Sequence, residues 1–475
     1  MTISETALTE IKDLLGPKGY ITDPAAKALF MAEWRGRSVG SSPLVALPRS
    51  TEEVSALVKI CAKHKIGIVP QGGNTGLVEG GIPDDSNSQL LLSLSKMDKL
   101  VEIDPLDYSM TIESGMPLYK AQEHARDHNR LFPLSLASEG TCTVGGNIAT
   151  NAGGIHVMKY GNMRDLVLGL EVVLANGEIW NGLQSLRKDN AGLDLRNIFV
   201  GSEGALGIVT RATVKLFPRP RAVETIFVGF EDLDKGLRLL SKLREECGTS
   251  LTAFEIIPKA GLELVLKNIP DTRQVLDNIY QWHAVIECWH DTSLNDGIES
   301  GPLAQAIADG FEADLIVDAA VATSDSQKQD FWKLRENLSE AQREEGTGIK
   351  HDISVSCAKL PKFVAEAEKR VLAIHPGTRI LPYGHAGDGN LHYDVIRPLD
   401  MDKDSFFALK QQMNDAIHDL IADMGGSIAA EHGIGALKAD EMERLKPAID
   451  ISLMRTLKHS LDPHNIMNPN RVIKA

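Results

Sequence analysis

Residues 70–81 read PQGGNTGLVEGG, five glycines in twelve positions. They follow IGIVP (66–70), a short apolar run that reads as a buried strand ending at Pro70. Just upstream, Ser50 with Glu53 three residues on is a capping-box pattern, and Val54, Leu57, Val58 and Cys61 repeat at i, i+3, i+4 and i+7, one face of a helix. The order is strand, helix, strand, glycine loop, an α+β unit. A glycine-rich loop lets backbone N–H groups converge on an anion with no Cβ in the way, so the loop is a candidate pyrophosphate cradle; a plain surface turn is the alternative.

The same texture continues outward. MTIESG (110–115) reads as a strand, PLYKAQEHARDH (117–128) as a helix, and DLVLGLEVVLANGEIW (165–180) as two strands joined at Asn176-Gly177. A second glycine-rich loop, SEGTCTVGGNIATNAGG, spans 138–154, and SEGALG (202–207) places another close backbone approach between strands. No G-x-G-x-x-G opens a helix after a strand, and no G-x-x-x-x-G-K-[ST] occurs, so a nicotinamide or P-loop reading loses support.

After FPRPRA (217–222) the pattern changes. TIFVGF, AFEII, HAVIECWH and HDISVS read as strands of a second sheet, DLDKGLRLLSKLREE and DFWKLRENLSEAQRE as helices, and a helical stretch from Ser405 stops at Gly425-Gly426. In PYGHAGDGNLHYDV (382–395), AGDGN can reverse the chain between alternating strands and bring His385 and His392 toward one pocket, where they would share an ion or remain ordinary hydrogen-bonding imidazoles. SIAAEHGIG (427–435) adds Glu431 and His432 at the end of an apolar strand; two histidines and one carboxylate form a ligand set that catalytic zinc uses. There is no H-E-x-x-H, so a metalloprotease is not indicated.

The whole composition sets bounds. At 475 residues, two or three domains are expected. The formal charge, 50 − 65 = −15, argues against nucleic acid, and no apolar run suits a membrane span. Five scattered cysteines without C-x-x-C suggest reduced thiols, and MTISETALTEIKDLLG lacks secretory or transit features, so the expected location is cytoplasmic.

In this order, PQGGNTGL, the 138–154 loop and VGSEGALGIVT resemble the flavin domain of the vanillyl-alcohol-oxidase (PCMH-type) FAD enzymes. PYGHAGDGNLHYDV, AAEHGIG and LDPHNIMNPN resemble the C-terminal half of their D-2-hydroxyacid dehydrogenase branch, which includes D-lactate and D-2-hydroxyglutarate dehydrogenases and the glycolate oxidase flavoprotein subunit. The resemblance implies an α+β fold: an N-terminal helical segment (1–36), a two-subdomain PCMH-type FAD-binding domain (37–218), an α+β substrate or cap domain (219–424) and a small helical C-terminal segment (425–475) packing on the flavin domain.

Carried over by residue, Pro70, Gly72, Gly73, Asn74, Thr75, Gly76 and Leu77 would wrap the FAD pyrophosphate. Ser138, Gly140, Thr141, Gly145, Gly146, Asn151, Gly153 and Gly154 would line the rest of the cofactor, with the Ile208 backbone on the adenine side and Asn468 near the flavin. The first loop has no histidine for a covalent tether, so the FAD is expected to be dissociable. His385, His392 and Glu431 would hold a divalent metal, usually zinc, with His432 as catalytic base. Arg335 and Ser339, at i and i+4 of a helix, and Lys350 would bind a distal carboxylate, and Asn390 would touch substrate. Two cations at one spot favour a dicarboxylate, because a lone methyl would leave them unpaired: D-2-hydroxyglutarate first, D-malate next and D-lactate third. The resemblance leaves open a reoxidising partner such as electron-transfer flavoprotein or a quinone, and a homodimer. A flavin-dependent transferase and a non-catalytic metal scaffold are the competing readings.

Overall fold

The Ser50 hydroxyl accepts the Glu53 N–H at 3.3 Å and opens the helix Thr51–His64, on which Val54, Leu57, Val58 and Cys61 are fully buried. The Glu53 carboxylate reaches the Arg49 N–H at 2.8 Å, so the reciprocal half of the capping box closes one residue earlier than the spacing suggests. The computed structural model describes residues 2–293, 301–346 and 348–474. Its chain forms two units, one of Met1–Gly153, Tyr160–Pro218 and Glu431–Ala475, the other of Gly154–Lys159 and Arg219–Ala430.

The first unit holds two main sheets. In the smaller, Gly67–Gln71 pairs parallel with Gln89–Ser93, which pairs parallel with Val45–Ala46. The larger runs Leu100–Asp104, Ser109–Glu113, Ile208–Lys215, Val167–Val173, Ile179–Gly182, antiparallel throughout. Thr51 Oγ1 donates to the buried Glu171 carboxylate at 2.5 Å, tying the helix to this sheet. SEGALG does not lie between two strands as read from sequence: a short helix, Arg196–Phe199, precedes it. The C-terminal tail returns beside Gly67–Gln71, where Ile68 N–H donates to Ile466 O at 2.7 Å and Asn468 N–H to Ile68 O at 2.8 Å. Buried Lys458 secures this tail by donating to Ala205 O, Met467 O and the Asp462 carboxylate.

The second unit is built on a seven-stranded antiparallel sheet in the order Asp318–Val321, Ala222–Phe230, Trp282–His290, Leu251–Pro258, Arg379–His385, Asn390–Ile396, Gly348–Ser354. One joint in it is narrow. Leu251–Pro258 meets Arg379–His385 only at Glu255↔His385 and Ile256↔Gly384. Two sequence expectations are corrected here. The stretch DFWKLRENLSEAQRE is two helices, Asp325–Glu336 and Leu338–Glu344, because the Asn337 side chain donates to the Lys333 carbonyl at 2.8 Å and competes with the helical ladder. SIAA is no strand: only Ser427 pairs, through an isolated bridge to Ser354.

Candidate functional site

In the first unit the two glycine-rich loops touch backbone to backbone. A Cβ on Gly72 would lie 2.3 Å from Thr143 Oγ1, and one on Gly73 would lie 2.0 Å from the Thr141 carbonyl oxygen, so any side chain there would part the loops. Gly145 abuts Ser114 in the same way, at 2.4 Å from its Cβ. A Cβ on Gly76 or Gly140 would meet no atom of the described residues within 4 Å, so the cradle is close-packed on one side and open on the other. Asn74 holds a left-handed conformation at φ 54° and donates to Ala32 O at 3.0 Å. Asn151 ends the helix Val144–Thr150 at φ 51° and accepts the Arg164 N–H at 2.8 Å.

Two amides at this cradle carry a buried oxygen with no partner among the described residues. Gln71 donates from Nε2 to Phe30 O and Gly81 O, each at 2.9 Å, and its Oε1 is unmatched. Asn468 donates from Nδ2 to Gly80 O at 2.9 Å and Glu203 O at 2.6 Å, and its Oδ1 is unmatched. Because both NH2 groups face acceptors, the orientation of each amide is fixed by its bonds. Such orphaned acceptors beside touching glycine loops fit a cofactor that brings its own donors and phosphates.

In the second unit, period-two alternation puts ionisable side chains in a row on one face. Glu255 is paired in register with His385, Tyr383 with His392, His392 with Asp352, and Asp394 with Lys350. The intervening Leu391, Tyr393 and Val395 are buried. The His385 and His392 ring centres stand 5.6 Å apart, so the hairpin does bring the two imidazoles together. His385 Nδ1 lies 2.6 Å from Glu255 Oε1, so the carboxylate orients the ring through an Nδ1 proton. Burial pushes the Glu255 carboxyl up, but the charges and hydrogen bonds of His385 and Arg335 outweigh it and hold the group below the usual carboxylate range.

Asn390 is 5% exposed; it donates from Nδ2 to Asp352 Oδ1 at 3.0 Å and Ile353 O at 2.8 Å, and its Oδ1 is buried without a partner. In the intervening turn, burial pushes the Asp388 carboxyl up to about 6.

Arg335, Ser339 and Lys350 do gather, around a residue the sequence reading missed. Ser339 Oγ lies 2.9 Å from the Tyr383 hydroxyl, the Arg335 guanidinium stands over the Tyr383 ring at 5.2 Å, and the Tyr383 hydroxyl donates to Asp394 Oδ2 at 3.3 Å. Burial, with Asp394 close by, pushes the Tyr383 phenol up and keeps it protonated. Arg335 is no solvated helix residue: it is 8% exposed and its Nε donates to Glu255 Oε2 at 2.8 Å. Lys350 Nζ lies 3.2 Å from Asp394. Each cation thus already has a carboxylate partner, so two cations at one spot do not by themselves require a dicarboxylate. Glu255 gave no motif-level signal, and Tyr383 and Asp394 sit inside PYGHAGDGNLHYDV without having been singled out; strand alternation beside His385 and His392 was the available hint.

Glu431 and His432, both half-buried, are the first residues of the return into the first unit. The segment after them is held by Glu203, whose Oε1 accepts the Ile434 N–H at 2.7 Å and whose Oε2 accepts the Gly435 N–H at 2.9 Å.

A cradle of touching glycine loops on an α+β unit, with a second unit that carries an ionisable sheet face, defines a two-part protein built to hold a phosphate-bearing cofactor. Residues 42–182 match the FAD binding domain and residues 219–472 the FAD linked oxidases, C-terminal domain. A probable D-2-hydroxyglutarate dehydrogenase, mitochondrial, of Oryza sativa subsp. indica is 35% identical over 97% of this chain and 80% of its own. The mitochondrial enzyme of that name in Rattus norvegicus is 32% identical over 100% and 86%, and the Xanthomonas citri pv. viticola D-2-hydroxyglutarate dehydrogenase is 34% identical over 96% and 94%.

Among solved structures, p-cresol methylhydroxylase superposes with a TM-score of 0.75 at 18% identity, covering 99% of this chain and 96% of that one. Alkyldihydroxyacetonephosphate synthase gives 0.74 at 20%, covering 98% and 86%. At those identities the likeness shows the fold alone. The chain belongs to the FAD-linked oxidases, in the branch of the D-2-hydroxyacid dehydrogenases, and is an FAD-binding oxidoreductase. The cytoplasmic expectation is corrected: the rice and rat relatives are named as mitochondrial, and the composition of the first sixteen residues carried no information on that point. Among the described residues no helix is long and apolar enough to cross a membrane.

Proposed function

We propose that this protein oxidises a D-2-hydroxy acid to the 2-oxo acid, with D-2-hydroxyglutarate as first substrate and 2-oxoglutarate as product. The relatives named above support the substrate class. The observation that carries the reading is the ionisable face of the second sheet, where Glu255 orients His385 through Nδ1 and Asn390 keeps a buried acceptor unmatched. Metal-binding histidines characteristically give their other ring N–H to a carboxylate, which is the state of His385.

FAD, when bound, supplies the acceptor for the hydride that leaves C2 of the substrate. His385 and His392, with Glu431, would hold a divalent cation, zinc the first candidate, whose chemistry is to acidify the 2-hydroxyl. His432 takes the 2-hydroxyl proton as general base. Arg335, Ser339 and Lys350 receive the distal carboxylate, with Lys350 shared between it and Asp394. A one-electron or quinone-type carrier, such as electron-transfer flavoprotein, reoxidises the flavin.

The test is anaerobic mixing of the yellow holoenzyme with D-2-hydroxyglutarate, followed by the flavin absorbance. The expected result is bleaching that chelator abolishes and added zinc or manganese restores, with no bleaching by the L enantiomer. A flavin that stays oxidised with D-2-hydroxyglutarate, D-malate and D-lactate alike would overturn the reading.

A further inference from the structure

Glu203 is an ionisable residue to which neither the fold nor the reaction assigns a task. It is 7% exposed and holds a left-handed backbone conformation, φ 49°, that a glutamate seldom adopts. Its main chain is anchored on both sides: its N–H donates to Ala149 O at 2.8 Å, and its carbonyl accepts from Asn468 Nδ2 at 2.6 Å. The backbone is therefore held in an uncommon state, and the side chain is aimed at the segment Gly433–Gly435.

That segment is shaped to receive it. Gly433 has φ 79°, and a Cβ there would sit 2.6 Å from Glu203 Oε1. Gly435 has φ 53°, and its Cβ would meet the Val78 carbonyl oxygen at 2.0 Å. The Ala436 N–H donates to that same carbonyl at 2.9 Å, which continues the fixed path. Two adjacent main-chain donors, Ile434 N–H and Gly435 N–H, need two acceptors at the spacing of a carboxylate. A glutamine offers one acceptor and would turn an NH2 on the other donor.

We propose that Glu203 is a positioning residue: by accepting the Ile434 and Gly435 N–H groups it fixes the turn that directly follows His432, and so sets the place of that imidazole and of Glu431. This rests on the reading of His432 as the base. Burial opposes the arrangement and pushes the Glu203 carboxyl up to about 7, against the pull of the two N–H groups and of Lys438.

The experiment compares the holoenzyme with Glu203→Gln and Glu203→Asp by two measurements. The first is amide hydrogen exchange of the peptide covering residues 431–437, which is independent of activity. In the Gln protein the Ile434 and Gly435 amides are expected to exchange about tenfold faster or more, from loss of one buried bond. The second is flavin reduction by D-2-hydroxyglutarate, where kcat should fall by roughly a hundredfold with KM within about threefold, because the base is displaced while substrate contacts persist.

Should the Gln protein not fold, the Asp protein, which keeps the charge on a shorter stem, must show both effects in milder form. Exchange and kcat within about twofold of the parent in the folded variant would overturn the proposal; so would a loss of kcat matched by equal loss of bound FAD, the mark of a merely structural role. If the parent itself is not reduced by any hydroxy acid, the reading of the function fails, and the exchange result still decides whether Glu203 fixes the turn.

Discussion

Glu255 holds His385 by Nδ1 at 2.6 Å and Arg335 by Nε at 2.8 Å, one buried carboxylate orienting a proposed metal ligand and a proposed substrate cation together. Glu255 and His385 come from strands that touch at only two register positions. Loss of the carboxylate therefore disturbs both ends of the site. For Glu255→Gln we expect the dissociation constant for zinc or manganese, titrated into metal-stripped protein, to rise by roughly 10–100-fold, the usual scale for removing a carboxylate behind a histidine ligand. Unfolding stability should drop by about 3–5 kcal/mol, because Arg335 stays buried without its counter-charge. Unchanged ion affinity would remove His385 from the ligand set.

Lys350 and Asp394 face each other in register across two strands, and Asp394 is 1% exposed. In Lys350→Ala the substrate loses a cation and meets a bare buried carboxylate. We expect kcat/KM for D-2-hydroxyglutarate to fall by about 100-fold, with D-lactate changed by less than about threefold, in line with about 2–3 kcal/mol for a charge-assisted contact. The double variant Lys350→Ala/Asp394→Ala should regain thermal stability without regaining dicarboxylate turnover. Equal losses on the two substrates in steady-state assays would take Lys350 out of the distal site.

How far these residues were legible follows from how far apart they lie in the chain. The glycine loops could be read because the requirement is local: Gly72 and Gly73 are needed where another backbone comes within a Cβ radius, and glycine density shows this directly. The hairpin of His385 and His392 was legible for the same reason, a turn segment between two alternating runs. Glu255 was not, since it lies 130 positions from His385 and meets it through a two-residue strand contact that no periodicity encodes. The helix break at Asn337 escaped because the apolar spacing continues through it; a side-chain amide bond to the Lys333 carbonyl interrupts the helix, and Ser339 reaches Tyr383 from the second helix. Tyr383 reads in sequence as an ordinary strand aromatic, and only the fold shows its hydroxyl between Ser339 and Asp394.

Gly76 offers a separate test of the cofactor cradle. No heavy atom lies within 4 Å of a Cβ built there, and its backbone is not left-handed, so alanine is sterically harmless to the protein by itself. If that space belongs to the FAD pyrophosphate, Gly76→Ala should leave the apo-protein melting temperature within about 2 °C, since surface changes usually stay inside ±0.5 kcal/mol. FAD affinity, from fluorescence quenching on titration into apo-protein, should weaken by about tenfold or more, because the added methyl crowds the backbone donors. Native FAD affinity in a stable Gly76→Ala protein would place the pyrophosphate elsewhere.

Glu203 also predicts a pH dependence whose sign is opposite to that of a salt-bridged carboxylate. Burial raises its folded pKa from the ordinary 4.5 to about 7. A carboxyl that holds its proton more tightly when folded stabilises the fold in acid, and that contribution is lost as pH rises from the unfolded value through the folded one. The loss amounts to about 3 kcal/mol across the window from about pH 4.5 to about pH 7. Glu203→Gln has no such proton to lose. The stability of the parent relative to the Gln variant, from denaturant titrations in matched buffers, should therefore decline between pH 5 and pH 8 and level off above. A flat difference would mean that the two N–H donors and Lys438 together cancel the effect of burial, and one that grows with pH that they outweigh it.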